Sequence, residues 1–262
     1  MIALAGAIVS PPAKAQVFEL QNSTDDISFT ERGWLQIVNG GSTITQVSNT
    51  YLQLTTTDLA DQAGLFTRNP VTGASSGLDY PALDRTSGYS LSFDLRLDAE
   101  THVSDNRAGL SVIVISSDLQ GIELGFWEDA IFAYDTDGST GFTRGETVNR
   151  QVVTPFPGST ESTLYDLVVA GSAYSLFAND ELVLEGSLRD YSGFPGTGPL
   201  NLVNPYDKPD LIFIGDDTSQ AGSAFLLGDV VLTIPEPSGL MALGVLALGV
   251  MTSRRTRETR VM

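Results

Sequence analysis

The chain reads as an all-β protein: a two-sheet sandwich of antiparallel strands. Three observations predict this. The dominant hydrophobic period between Gln16 and Ile234 is two. Gly, Asn and Asp pairs punctuate the apolar runs at short intervals. No stretch in the same region carries an apolar stripe three helical turns long.

Three short strands are expected first, at 34–38, 43–47 and 51–56. In 89–97, Tyr89, Leu91, Phe93, Leu95 and Leu97 share one face, and Ser90, Ser92, Asp94 and Arg96 share the other. That is a half-buried antiparallel strand with a wet outer side. Segment 109–115 (GLSVIVI) is apolar on both faces and reads as a central strand. Segments 121–127 and 130–134 form the next pair, joined around Glu128-Asp129. Segments 164–170 and 173–178 follow, turning at Gly171-Ser172. Asn179-Asp180 then links YSLFA to ELVLEG, and this dipeptide tolerates the positive φ of a tight hairpin. Strands at 211–214 and 224–234 close a set of about a dozen, the number a sandwich requires.

Composition bounds the function. The body, residues 16–234, contains no linker or repeat that would divide it, so one domain is expected. Of 14 basic residues in the chain, five lie in the terminal segments, and of 32 acidic residues two do; the body carries 9 against 30, a net of −21. Such a surface repels phosphate backbones and excludes nucleic acid as a partner. There is no cysteine, which rules out disulfides and thiol catalysis. A single histidine, His102, excludes multi-histidine metal sites; in AETHVSD it reads as a solvated loop residue after a strand.

The ends carry an address. Pro235-Glu236-Pro237 precedes an uncharged run at 238–251, and Arg254, Arg255, Arg257 and Arg260 follow. Fourteen helical residues rise about 21 Å, a marginal span of a hydrocarbon core of about 30 Å. The arginines would hold the C-terminus in the cytoplasm. A short C-terminal hydrophobic helix is therefore expected within 235–262. At the other end, residues 1–9 are apolar, and Ala13-Lys14-Ala15 before Gln16 has the small-x-small shape of a signal-peptidase site. Residues 1–15 read as a partial signal peptide that lacks its basic region, so an earlier start codon is expected.

The tail, in this order and spacing, resembles the PEP-CTERM sorting signal of exported bacterial proteins. The resemblance implies that an exosortase-type membrane protease recognises Pro235, Glu236 and Pro237, with Arg254 and Arg255 in the stop-transfer cluster. It implies export across the inner membrane, anchoring there before processing, and association with extracellular polysaccharide or biofilm. A second resemblance rests on GIELGFW, YDLVVAGSAYSLFANDELVLEG, FIGDD and FLLGDVVLT, spanning 89–234. This order of strands is similar to the concanavalin A-like or laminin-G-like jelly rolls of "choice-of-anchor" proteins, and covers no catalytic signature.

Three kinds of chemistry are candidates. Laminarinase-type hydrolases on this fold have a strand motif resembling Glu-x-Asp-x-x-Glu. Here Glu123 and Glu128 stand five apart with glycine at Gly125, and in an unbulged strand they point to opposite faces. Asp135 and Asp137 in an Asp-x-Asp-Gly turn, with Asp216-Asp217 in another, are candidate calcium ligands, although the rest of an EF-hand-type loop is absent. Trp127, Tyr134, Phe142 and Phe156 are candidate sugar-stacking rings, with core packing as the competing fate. The expected function is an exported, non-catalytic envelope or matrix protein that binds carbohydrate. The alternative is a glycan-active enzyme on the same fold.

Overall fold

The computed structural model describes residues 15–22, 27–48, 51–56, 58–75, 80–135, 142–150, 152, 161–194 and 204–235. The chain enters with β1 (Ala15–Gln21), β2 (Leu35–Asn39), β3 (Thr43–Gln46), β4 (Leu52–Thr55) and β5 (Gln62–Phe66). The long β6 (Tyr89–His102) precedes β7 (Leu110–Ile115), β8 (Gln120–Phe126), β9 (Ala130–Tyr134) and β10 (Arg144–Asn149). Then come β11 (Thr163–Ala170), β12 (Ala173–Ala178), β13 (Glu181–Ser187), β14 (Arg189–Asp190), β15 (Leu211–Asp216) and β16 (Ala221–Pro235). Among the described residues there is no α-helix, only a 3₁₀ turn at Pro205–Asp207, and no helix is long and apolar enough to cross a membrane.

The strands form two antiparallel sheets, as their alternation predicts. The first runs β13-β12-β11-β6-β16-β4-β3, with β1 also on β16. The second runs β10-β9-β8-β7-β15-β5-β2, with β14 on β8. Phe93, Leu95, Leu167, Leu176 and Phe225 from the first meet Val112, Leu124, Phe126, Ile131 and Ile214 from the second in one buried core. Burying each such side chain contributes about 1.5–3 kcal/mol. The Asn179-Asp180 hairpin has φ of 49° and 67°, the left-handed pair that its dipeptide tolerates.

The two sheets differ on their outer sides. β6 alternates buried and half-buried residues, so the outer side of the first sheet is wet. Every residue of β7, β9 and β15 is buried, so the second sheet is covered on both faces. Its outward residues Ile113, Leu211 and Phe213 pack under Tyr191, Phe194 and Tyr206, which come from the connections around β14 and the 3₁₀ turn. This second layer positions the site described below.

Three strands carry little sequence signal. β1 and β10 are edge strands with mixed exposure, and β5 is short with glycine at its centre. Ala15 of β1 pairs with Pro235 of β16, the first rung of that ladder. His102 corrects an expectation: it ends β6 and does not lie in a solvated loop. The segment expected to form the C-terminal helix lies outside the described residues, as do Glu236, Pro237, Arg254 and Arg255.

Gly125 faces Phe132 across the β8–β9 pair, and a methyl there would stand 2.3 Å from the ring. Aspartate at Gly125, the residue of the hydrolase-type motif, must therefore displace Phe132 and bury a charge. Gly125→Asp is expected to cost about 3 kcal/mol or more in urea unfolding. An unchanged midpoint would contradict this packing.

Candidate functional site

The outer face of the second sheet gathers a chain of aromatic rings around a small set of charged groups. Trp127–Phe132, Phe132–Tyr134, Tyr134–Phe142, Phe142–Phe194, Phe194–Tyr206 and Tyr206–Tyr191 follow one another at 4.9–5.5 Å between centroids. The loop after β6 delivers Arg107, whose guanidinium lies 3.9 Å from the Phe142 ring centroid. The Arg107 carbonyl accepts from Trp127 Nε1 at 2.9 Å, which fixes the loop to the ring chain. β8 directs Glu123 to this face because Ile122, Leu124 and Phe126 take the other, and Glu123 is 0% exposed. Asp217 follows β15, and Tyr206 is set by Asn204, whose Oδ1 accepts from the Tyr206 backbone N–H at 3.0 Å.

These four residues form one network. Arg107 Nη2 donates to Asp217 Oδ1 at 2.7 Å and to its carbonyl at 3.2 Å. Tyr206 Oη stands 2.8 Å from Glu123 Oε2 and 2.8 Å from Asp217 Oδ2. A phenol has one hydrogen, so it donates to only one of the two. The other contact then needs its hydrogen from the carboxyl. Asp217 is ion-paired with Arg107, so the proton belongs on Glu123. Burial, and after it the neighbouring Asp217 carboxylate, pushes Glu123 up from the usual carboxylate range. Glu123 Oε2–H therefore donates to Tyr206, and Tyr206 donates to Asp217.

A second group adjoins the first through Trp127. The His102 ring stacks on Trp127 at 4.1 Å and 6°, and the Arg144 guanidinium lies 4.5 Å from the same ring. His102 Nδ1 is 3.0 Å from Glu100 Oε2. His102 is an exposed residue, as expected, with its side chain 30% exposed and its ring stacked on Trp127. Burial pushes Glu100 up to about 7, against the opposing pull of His102.

Among the described residues, the expected calcium ligands Asp135, Asp216 and Asp217 do not form a group. Asp216 Oδ2 accepts from Thr56 Oγ1 at 2.6 Å and its Oδ1 from the Thr218 N–H at 3.0 Å, while Asp217 serves Arg107 and Tyr206. Asp135 follows β9, its N–H donating to the Thr143 carbonyl at 2.8 Å, and Asp137 lies outside the described residues. Among the described residues no three metal-ligating side chains form a group. Glu128 is exposed in the turn after β8, away from Glu123. Trp127 and Tyr134 are buried in the ring chain and Phe142 is half-buried; Phe156 lies outside the described residues. Sequence reasoning missed Arg107, Tyr206, Tyr191 and Phe194, isolated residues whose partners are remote in the chain. Their only signal was the doubly apolar strand at 109–115, which required a cover.

No family model matches the chain, and no curated protein is similar to it in sequence. Solved structures share its fold. The carbohydrate esterase of the Shiga toxin-encoding bacteriophage phi24B superposes with a TM-score of 0.52 at 12% identity, over 84% of this chain and 100% of that one. A Bacillus subtilis protein of unknown function with a galectin-like fold gives 0.48 at 12% identity, over 84% and 100%. The carbohydrate-binding module CBM66 of Bacillus subtilis gives 0.40 at 10% identity, over 76% and 93%.

The buried acids set a pH dependence. Asp216, pushed up to about 8 by burial, and Glu100 keep protons in the folded state that the unfolded chain loses near 4. The folded state binds more protons between about pH 4 and 8, so stability falls as pH rises through that window. The urea midpoint is expected to be higher at pH 5 than at pH 8, and Asp216→Asn should flatten the slope. A slope that Asp216→Asn leaves unaltered would contradict the assignment.

Proposed function

We propose that the protein is an exported component of the cell envelope or extracellular matrix that holds polysaccharide at the outer face of its second sheet and has no catalytic role. The observation that carries the reading is the composition of that face: a run of buried aromatic rings that includes the half-buried Phe142, packed around a few convergent polar groups. The absence of a catalytic role is argued from commitment. Asp217 is held by Arg107 and Tyr206, and Glu123 by Tyr206, so neither carboxylate stands free as a base or nucleophile.

Export and sorting rest on the tail, with an exosortase-type protease as partner at Pro235, Glu236 and Pro237. The pairing of Ala15 with Pro235 supports this, because both removable segments leave from neighbouring positions on one sheet. Processing at either end would leave the ladder intact up to its last rung.

One observation favours a glycan-active enzyme as a second reading. Two carboxylates that share one tyrosine oxygen at 2.8 Å lie close together, and retaining glycosidases hold theirs about 5–5.5 Å apart. A glycan array run beside a hydrolase panel separates the two. Retention without turnover is expected; release of reducing ends that Glu123→Gln abolishes would replace the first reading with the second. For sorting, mass spectrometry of the cell-envelope form is expected to find a C-terminus close to Pro235–Pro237. An intact Met262 terminus in cells that hold an exosortase would contradict it.

A further inference from the structure

Four polar atoms around Glu123 are buried and have no hydrogen-bond partner among the described residues: Arg107 Nη1, Glu123 Oε1, Tyr134 Oη and Tyr191 Oη. Each such atom costs about 1–3 kcal/mol, a heavy load for a fold whose net stability is about 5–15 kcal/mol. They are grouped. The Arg107 guanidinium carbon is 5.6 Å from the Tyr134 ring centroid, and the Tyr191 ring stacks at 5.1 Å on Tyr206, which holds Glu123.

The distance between two of them identifies what they take. Arg107 Nη1 and Glu123 Oε1 are 3.9 Å apart, too far to bond each other. One oxygen can lie about 2.8 Å from both. That oxygen must accept from Arg107, which has only donors. It must also donate to Oε1, because the Glu123 hydrogen sits on Oε2 toward Tyr206. A hydroxyl does both. An oxygen of a carboxylate, sulfate or phosphate anion cannot donate. Asp217 neutralises Arg107, and Arg189 brings a second guanidinium to the Tyr191 and Phe194 rings; discrimination against anionic chains therefore rests on the body's 9 basic against 30 acidic residues, whose field repels them. Phe142 and Tyr206 supply apolar ring faces beside this point.

Resting on the glycan-binding reading, we propose that Arg107 Nη1 and Glu123 Oε1 form a two-point receptor for one hydroxyl of a neutral sugar unit, flanked by the Tyr134 and Tyr191 hydroxyls. The ligand class is then neutral polysaccharide, with uronate and sulfated chains rejected. Phe142 is the half-buried ring beside this point.

The test uses the full chain on an array with one arm of neutral hexose oligosaccharides and another of uronate and sulfated oligosaccharides. Wild-type protein should retain the neutral arm only. Tyr134→Phe and Tyr191→Phe should each weaken binding tenfold or more while the thermal midpoint stays level or rises, because each removes a hydroxyl that bonds nothing among the described residues. That combination separates ligand contact from a structural role. Binding confined to the anionic arm, or neutral binding that both phenylalanine variants leave intact, would overturn the receptor and keep the glycan-binding reading. Retention of nothing in either arm would overturn both, and the bridging oxygen would be a trapped water.

Discussion

The outer layer of the second sheet depends on the ion pair between Arg107 and Asp217. A guanidinium at this depth requires a carboxylate in hydrogen-bonding contact, because removing one partner of a buried pair costs about 3–5 kcal/mol. Asp217 supplies that contact at 2.7 Å and thereby fixes its second oxygen for Tyr206. Tyr206 in turn has one hydrogen, so Glu123 must bring its own. Proton placement across three side chains thus follows from one salt bridge and one phenol. The aromatic chain from Trp127 to Tyr191 then packs over a face that carries charges of both signs.

The fold was legible because its rules are local. Alternation in 89–97 and the Asn179-Asp180 dipeptide each specify backbone geometry within a few residues, and both appear where expected. The strand at 109–115 also disclosed more than its own conformation. A run apolar on both sides needs a cover on both sides, and the rings above β7 and β15 are that cover. The edge strands β1 and β10 were silent because edges have no obligatory alternation, and β5 because glycine at its centre removes the side chain that would mark a face.

The site was legible only in fragments. Asp216-Asp217 stood out as an acidic pair, but adjacent residues of an extended chain point apart, and each finds a different partner. Asp217 waits for an arginine 110 positions away, a relation that no local pattern encodes. Glu123 was visible through its likeness to a hydrolase strand, and its expected partner Glu128 is in a turn. The partner it has, Tyr206, comes from a connection with no periodicity. His102 shows the same limit: a polar neighbourhood in sequence became a stacked ring once Trp127 arrived beneath it.

The claim on which the site's charge and selectivity rest is the proton on Glu123. Its direct probe is the carbonyl stretch of a protonated carboxylic acid in infrared difference spectra at neutral pH. A band of this kind that disappears in Glu123→Gln and persists in Asp216→Asn is the predicted result. Carboxylate bands alone at that position, with the Glu123→Gln difference showing loss of an ionised group, would contradict the account.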